Sequence, residues 1–234
     1  MEWCTLTLVK TGNEELDRRL GGIPHPSLIF VEGEHGVGKT VLSAQFAKGF
    51  LESGFKGVFV TTEHLTFDLL VKLKEVKLDL SPWFLNGSLR IAPLNVRKFS
   101  WKSKFAEDLI SVLLNFLKNV RCSFCIIDSL TLLSLYSEPR QTLDLFKASR
   151  IFADIGKTMI FTMHPGVHPE SLHTEVRSIV DVYFRIKNVV IGGRRLKSLE
   201  RIKNAGGAIG SDIISFDVDP SLGLRVVPLS LSRG

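Results

Sequence analysis

The sequence predicts an α/β fold with a mainly parallel sheet flanked by helices and a C-terminal antiparallel β extension. Short apolar runs alternate with longer segments of helical periodicity, as in layered α/β domains. A glycine-rich segment lies at a predicted strand-to-helix junction. After Ile186 the helical segments give way to short β-prone runs joined by tight turns.

The predicted strands of the parallel sheet are short and almost wholly apolar. Continuous apolar runs suit strands that are covered on both faces, so we expect helices on both sides of the sheet. In chain order these strands are Ser27–Glu32, Gly57–Thr62, Leu89–Ala92, Ser123–Asp128, Thr158–Met163 and Val180–Ile186.

Three predicted helices connect the strands. The first, Lys39–Ser53, has large apolar residues at four-residue spacing, and Gly54 after it is a suitable C-cap residue. The second is Phe105–Lys118, whose apolar residues fall on one side. The third, Pro139–Asp154, carries a proline in its first turn, where proline is tolerated.

A hairpin and further strands are predicted after the parallel core. Gly192–Gly193 separates Val189–Ile191 from Arg195–Lys203, and two glycines between β-prone runs indicate a hairpin turn. Ile213–Val218 and Leu224–Val227 follow as strand candidates.

The composition favours one compact domain spanning residues 1–234. With 44% hydrophobic and 23% charged residues, a chain of this length buries a core without disulfides or a structural metal. It contains no run of 18 apolar residues and no signal-peptide pattern at its start. Three cysteines, a small and odd number, favour a reducing compartment, so we expect a cytoplasmic protein.

The net charge of +6 leaves three kinds of partner open: a nucleic acid, an anionic membrane surface or an acidic protein. The basic residues are dispersed, and their densest groups, at 194–203 and 98–104, are modest. Dispersed lysines are more typical of a solvated surface than of a nucleic-acid footprint. We therefore expect no specific nucleic-acid partner.

A complete GxxxxGK[ST] motif predicts a phosphate site. It lies where a predicted strand meets an amphipathic helix, so its backbone N–H groups and the helix N-terminus can face an anion. In this motif the lysine reaches the β- and γ-phosphates of ATP, and the hydroxyl of Thr40 binds Mg²⁺. The predicted nucleotide-binding residues are Gly33, Glu34, His35, Gly36, Val37, Gly38, Lys39 and Thr40.

A second acidic position supports the same chemistry. A P-loop nucleotidase needs an acid at the end of another apolar strand, to hold the magnesium through water. Asp128 ends the apolar run Cys125-Ile126-Ile127 and is predicted to be this residue. An apolar strand followed by aspartate is common, so the prediction depends on its combination with the P-loop.

The order of these motifs resembles the RecA/KaiC superfamily of P-loop ATPases. Thr11–Asp17 with Leu20–Pro24 is similar to the segment that precedes the P-loop strand in that superfamily. Thr61-Thr62-Glu63, Ile127–Thr131 and Phe161–Pro165 then follow in the family's order. Within the superfamily, the short length, Leu16–Gly22 and Gly192–Arg195 most resemble the FlaH family of archaellum accessory ATP-binding proteins.

The resemblance implies roles for two further residues. Glu63 matches the glutamate that polarises the attacking water, although KaiC-type chains have two acids there and this chain has Glu63 followed by His64. His164 matches a polar sensor of the γ-phosphate, with a turn or capping role as the alternative. With His168 and His173 it also invites a zinc site, but no fourth ligand is evident.

The resemblance also implies that neighbouring subunits complete the site. KaiC-type chains carry Lys-x-Arg-Gly in a C-terminal hairpin that reaches the neighbour's γ-phosphate. Lys203 is present here, but Ala205 stands where the arginine would be. A trans-acting arginine is worth about 10³-fold or more in rate, so its absence predicts slow ATP hydrolysis.

A Cys-x-x-Cys pair, Cys122 and Cys125, runs into a predicted strand. In an extended strand the two sulfur atoms would point to opposite faces, which disfavours a chelate or a disulfide. We therefore predict buried apolar cysteines.

The resemblance implies a nucleotide-dependent switch in the archaellum motor complex. It would be peripheral to the membrane beside a motor ATPase, a membrane platform protein and a scaffold ring protein, and would itself form a ring, as a hexamer. The alternatives are a RadB-type DNA recombinase paralogue and a KaiC-like signalling ATPase. Recombinases bind DNA through flexible loops, and the corresponding segment, Gly166–Ser178, is poor in positive charge.

Overall fold

A nine-stranded twisted sheet organises the chain. The structure, a computed structural model, describes residues 6–94, 109–135, 137–204 and 213–228. The strand order across the sheet is β11-β10-β9-β8-β3-β7-β6-β4-β5, and β1 pairs with β2 in a separate ribbon. The strands are β1 Thr7–Val9, β2 Ile23–His25, β3 Ser27–Gly33, β4 Gly57–Thr61, β5 Leu89–Pro93, β6 Phe124–Asp128, β7 Thr158–Met163, β8 Val182–Ile191, β9 Arg194–Asn204, β10 Ile213–Asp219 and β11 Gly223–Val226.

Helices connect the strands and cover both faces of the sheet. Those within the described ranges are α1 Glu14–Leu20, α2 Lys39–Glu52, α3 Thr66–Glu75, α4 Ser81–Leu85, α5 Leu109–Asn119, α6 Thr131–Leu135, α7 Pro139–Asp154 and α8 Glu170–Ile179. None of these helices is both long and apolar enough to cross a bilayer.

The sheet combines a parallel core with an antiparallel extension, as the sequence predicts. Strands β8, β3, β7, β6, β4 and β5 are mutually parallel, and β9, β10 and β11 add to the β8 edge in antiparallel fashion. Because the six core strands are parallel, their carboxyl ends all lie at one edge of the sheet. Open α/β proteins bind their ligands at this edge.

Two strands that the sequence predicts as separate form one continuous strand in the structure. The separate runs Val180–Ile186 and Val189–Ile191 form the continuous strand β8, which pairs with β9 as far as the turn at Gly192 and Gly193. Both glycines have positive φ, which the tight turn requires. The polar residues that suggested an interruption, Lys187 and Asn188, lie on an exposed edge of the long hairpin, where side chains need not be apolar.

The apolar side chains form two cores, one on each face of the sheet. Alternate residues of β3 point to opposite sides, so Ile29 belongs to one core and Phe30 to the other. Helix α2 packs Phe46 and other apolar residues into the first core, and α7 packs Phe146 into the second. This two-sided burial explains why the central strands are apolar throughout.

The N-terminal segment is fixed by hydrogen bonds to α2 and to the C-terminal strands. Asn13 caps α1 by accepting from the N–H of Leu16 (3.0 Å), and its side-chain amide donates to the carbonyl of Leu224 (2.7 Å). The Gln45 amide of α2 donates to the carbonyl of Thr11 (2.7 Å). The segment that resembles the superfamily's N-terminal motif therefore joins α2 to the far edge of the sheet.

The segment Gly166–Ser178 is mostly a helix, so treating it as a flexible loop is wrong. Helix α8 occupies 170–179, and its N-cap position is Pro169. It buries Leu172, His173 and Val176 against the second core. This apolar stripe at helical spacing is narrow within a polar segment, which is why it resembles a loop in the sequence.

The prediction that the two Cys-x-x-Cys sulfur atoms point to opposite faces is also wrong. Strand β6 begins at Phe124, after a bend at Ser123, so strand alternation does not extend to Cys122. Both side chains pack in the second core, and their proximity lowers the pKa of Cys122 and raises that of Cys125 well above its usual value. Both are free thiols, and only Cys125 is fully buried as predicted.

Candidate functional site

The P-loop joins the end of β3 to the start of α2. A Cβ atom at Gly33 would lie 2.8 Å from the carbonyl oxygen of Ile186, so only glycine lets the loop begin this close to β8. Gly38 precedes α2 with a φ of 95°, in the left-handed region that favours glycine. The loop therefore delivers Lys39 and Thr40 as the first residues of the helix.

Lys39 lies inside the loop that carries it. Its Nζ donates to the carbonyl oxygens of Gly33 (2.8 Å) and Glu34 (2.7 Å), and the residue is 6% exposed. Burial lowers its pKa to about 8, whereas the charges of Asp128 and Glu63 act in the opposite direction. The ammonium group therefore remains charged at neutral pH and is held beside the cavity that the loop surrounds.

Asp128 ends β6 as predicted and is buried. Its Oδ1 accepts from the hydroxyl of Thr162 (2.6 Å), whereas its Oδ2 is buried without a hydrogen-bond partner. Burial raises the pKa of this carboxyl, and the hydroxyls of Thr162 and Thr40 oppose the shift. A buried carboxylate oxygen without a donor, close to the Thr40 hydroxyl, fits a hydrated Mg²⁺ ion.

Glu63 and His164 approach the P-loop from the ends of two other strands. Glu63 is half-buried, two residues after β4, and His164 directly follows β7. The backbone N–H of His164 donates to the hydroxyl of Thr131 (2.9 Å), which fixes the chain where the ring emerges. The ring centroid of His164 lies 5.8 Å from that of His35 in the P-loop.

These side chains converge on one cavity of about 270 Å³ at the carboxyl edge of the sheet. Four separate segments contribute to it: the P-loop with the start of α2, and the ends of β4, β6 and β7. The lining residues are His35, Gly36, Gly38, Lys39, Thr40, Glu63, His64, Asp128 and His164.

Four predicted residues lie outside this cavity. Gly33 and Glu34 border a second cavity on the other side of the P-loop, and Val37 is fully buried in the first core. Lys203 is on β9, where its Nζ donates to the carbonyl oxygens of Arg177 and Ser178 (both 2.9 Å). Lys203 therefore does not belong to the cavity of its own chain. Ala205, the position compared with the family's arginine, lies outside the described residues.

A buried polar cluster behind the P-loop was not predicted from the sequence. The Glu32 carboxylate is 5% exposed and accepts from the hydroxyl of Tyr183 and from Arg185 Nε (3.3 Å). His173 Nδ1 of α8 lies 3.4 Å from the other carboxylate oxygen. An acid at the end of the apolar run SLIFVE was the available signal, because a buried carboxylate requires partners.

The three histidines of the 164–173 segment do not form a metal site. His164 lines the first cavity, whereas His168 and His173 border the second. There His168 Nε2 lies 3.1 Å from the hydroxyl of Thr142, and His173 faces Glu32. Among the described residues, no group of three or more histidine, cysteine, aspartate or glutamate side chains is placed to hold a metal ion.

The comparisons with known proteins identify the family. The model of the KaiC ATPase family matches residues 9–230. The archaeal flagellar ATP-binding protein FlaH of Sulfolobus acidocaldarius is 53% identical to this chain, over 97% of it and 99% of the relative. The chain belongs to the FlaH group of KaiC-type ATPases. The FlaH protein of Methanocaldococcus jannaschii is 30% identical over 94% of this KaiC-type chain and 95% of its own.

Solved structures agree with the KaiC-type fold. The crystal structure of FlaH from Methanocaldococcus jannaschii superposes with a TM-score of 0.85 at 24% identity, covering 96% of this chain and all of that chain. A KaiC-like protein of Pyrococcus horikoshii superposes with a TM-score of 0.74 at 23% identity, with the same coverage. At these identities the likeness concerns the fold.

Proposed function

We propose that this FlaH-type chain binds ATP and Mg²⁺ and acts as a nucleotide-dependent regulatory switch in the archaellum motor complex. The observation that carries the proposal is the meeting, in one cavity, of a P-loop, a buried acid with a free oxygen, and a glutamate at the adjacent strand end. The residues concerned are Lys39, Thr40, Glu63 and Asp128.

Each residue has a distinct task in this proposal. Lys39 neutralises the β- and γ-phosphates once its ammonium leaves the loop carbonyls, and Gly38 gives the loop its curvature. Thr40 and Asp128 hold Mg²⁺, which neutralises charge on the phosphate oxygens. Glu63 orients a water molecule and accepts its proton. His164 senses the terminal phosphate.

Hydrolysis is proposed to be slow. Ala205 replaces the arginine that KaiC-type chains present to their neighbour, and such an arginine is worth about 10³-fold or more in rate. We propose that Lys203 approaches the neighbouring subunit's γ-phosphate instead, within a ring that is a hexamer. A lysine supplies a point charge without the bidentate geometry of a guanidinium, so it favours assembly more than catalysis.

The names of the relatives support a place in the archaellum system, because they are called archaeal flagellar ATP-binding proteins. We propose that residues 1–234 act as one domain on the cytoplasmic side of the membrane. Its proposed partners there are the motor ATPase, the platform protein and the scaffold ring protein. Membrane association would then occur only through these partners.

Binding of ATP with Mg²⁺ to the purified chain, measured by calorimetry, tests the proposal. We expect Lys39→Ala and Thr40→Ala to weaken binding at least about tenfold, because each removes a charge or ligand of the phosphate–magnesium unit. Lys48→Ala, on the same helix and outside the cavity, is the matched control and keeps the wild-type affinity. Unchanged affinity in both cavity variants would contradict the proposal.

The recombinase alternative is tested by DNA binding. Helix α8 replaces the flexible loop that this function requires, and its Glu170 and Glu175 outnumber its one arginine. We expect at most weak, salt-sensitive and sequence-independent binding of single-stranded DNA, measured by fluorescence anisotropy at several salt concentrations. Tight binding at physiological salt, with filaments in electron micrographs, would favour the recombinase function instead.

A further inference from the structure

Two imidazole rings face each other across the mouth of the candidate nucleotide cavity. His35 is an exposed residue of the P-loop, and His164 follows the neighbouring strand β7. Their ring centroids are 5.8 Å apart, with the ring planes inclined by 60°. Two segments far apart in the sequence thus present the same ionisable group to one cavity.

The charged side chains of the cavity include fewer positive than negative groups. Lys39 supplies the positive charge, and Glu63 and Asp128 supply negative charge. The described lining contains no arginine; His64 is its third histidine, and its Nδ1 lies 3.4 Å from Lys72 Nζ. The terminal phosphate of ATP would add negative charge beside two carboxylates, and the Mg²⁺ ion proposed at Thr40 and Asp128 would offset only part of it. The paired imidazoles are the groups that can become cationic near neutral pH.

The cavity without nucleotide keeps His164 neutral at pH 7. Burial lowers its pKa, and the positive charge of Lys39 lowers it further, while Glu63 raises it. A phosphate anion within the same cavity would favour the charged imidazole. Two cations this close repel each other, so the pair is expected to hold one added proton at a time.

We propose that His35 and His164 bind the terminal phosphate of ATP as a pair that takes up one proton from solvent, so that ATP is distinguished from ADP by a protonation step. The inference rests on the proposed ATP binding and adds His35 and a bound proton to the sensing role already proposed for His164. A protonated imidazole pair would supply, within the same subunit, the cation that Ala205 does not supply across the interface.

The proton linkage has a definite direction. In this proposal ATP raises the pKa of His164 above its lowered value in the free protein, so the pair's contribution to ATP affinity is complete below the pKa of the free protein. That contribution is lost as the pH rises through the pKa of the ATP complex. ADP gains no such contribution, so we expect the preference for ATP over ADP to fall about tenfold between about pH 6 and pH 8.

Calorimetric titration with Mg·ATP and with Mg·ADP, in two buffers of different ionisation enthalpy at about pH 7, measures the protons taken up. Lys39, whose pKa is about 8, is mostly protonated at this pH. We expect wild type to take up more protons with ATP than with ADP. His35→Gln and His164→Gln should each reduce this difference, and the double variant should abolish it. The nucleotide's own titration cancels, because all variants meet the same ligand.

His168→Gln is the control, because His168 lies in the second cavity and glutamine can keep its hydrogen bond to Thr142. It should retain the wild-type difference. Because His35 is exposed, His35→Gln should fold, and it tests the proton uptake even if His164→Gln does not fold. Equal proton uptake with ATP and ADP, or an uptake unaffected by His35→Gln, would overturn this inference alone. Absence of any nucleotide binding to wild type would instead overturn the proposed function.

Discussion

The carboxylate of Glu32 lies directly before the P-loop and is shared by side chains from β8 and α8. Tyr183 and Arg185 donate to it, and His173 stands on its other side. The same carboxylate helps raise the pKa of Tyr183 to about 12, after the larger effect of burial, so the phenol remains a donor at every physiological pH. Glu32 thereby connects the strand end before the P-loop to β8, and it lies against His173 of helix α8.

Glu32→Gln tests how much this cluster contributes to the stability of the protein. The substitution keeps the size and shape of the side chain but removes the negative charge to which Arg185 and the Tyr183 hydroxyl donate. We therefore expect the free energy of unfolding to fall by about 1–3 kcal/mol. Urea denaturation of wild type and variant measures it. Glu34→Gln, two residues along and exposed, should change the stability by less than about 0.5 kcal/mol. Equal small changes in both variants would mean that the cluster contributes little to stability.

Among single residues, the sequence predicts those site residues that belong to a short local motif or end a predicted strand. Lys39 and Thr40 follow from an eight-residue motif, and Asp128 from a strand end, and all three line one cavity. Glu32 escapes prediction because its partners are about 150 positions away in the sequence. Lys203 shows the same limit: its bonds to Arg177 and Ser178 depend on how β9 pairs with β8.

Helix α2 is positioned by a glycine in its interior. A Cβ atom at Gly49 would lie 2.1 Å from the carbonyl oxygen of Lys10 and 2.7 Å from the Cα of Thr11. The backbone of the N-terminal segment therefore touches the helix directly, and Gln45 adds a hydrogen bond one turn earlier. This contact sets the axis of the helix that begins at the phosphate site.

Gly49→Ala should reverse the usual effect of alanine in a helix. Helix propensity alone would stabilise the protein by about 0.5–1 kcal/mol. Because the methyl group has no space against backbone atoms, we expect a net loss of about 1–3 kcal/mol in the free energy of unfolding. Thermal or urea denaturation decides between the two signs, with Lys48→Ala as the neighbouring control. Stabilisation by Gly49→Ala would show that the N-terminal segment does not pack as described.

Elements are predicted well where periodicity is strong and poorly where it is weak. The predicted helices that start at 39 and 139 are within one residue of α2 and α7. The first four residues of the prediction Phe105–Lys118 lie outside the described residues, and the rest corresponds to α5. Helix α8 was missed because a polar segment needs only three buried side chains to hold it on the core.

At the scale of the whole molecule, the order of strands comes from topology that the local pattern does not contain. The alternation of strands and helices predicts a parallel sheet but not which strands are neighbours. In the sheet, β3 lies between β7 and β8, so the P-loop meets the ends of strands that come more than 120 residues later. Lys203, paired with Tyr183 in the β9–β8 ladder, lies below the carboxyl edge that carries this site. It therefore does not line the cavity of its own chain.

The central claim, that the nucleotide state controls assembly, is tested most directly by molar mass from light scattering with ATP, with ADP and without nucleotide, each with Mg²⁺. We expect ATP to favour a closed ring and ADP not to, because a lysine across the interface is attracted strongly only when the third phosphate is present. Glu63→Gln should still assemble, whereas Lys39→Ala should lose the response and Lys203→Ala should weaken it. A molar mass that is the same with ATP, with ADP and without nucleotide would contradict the account.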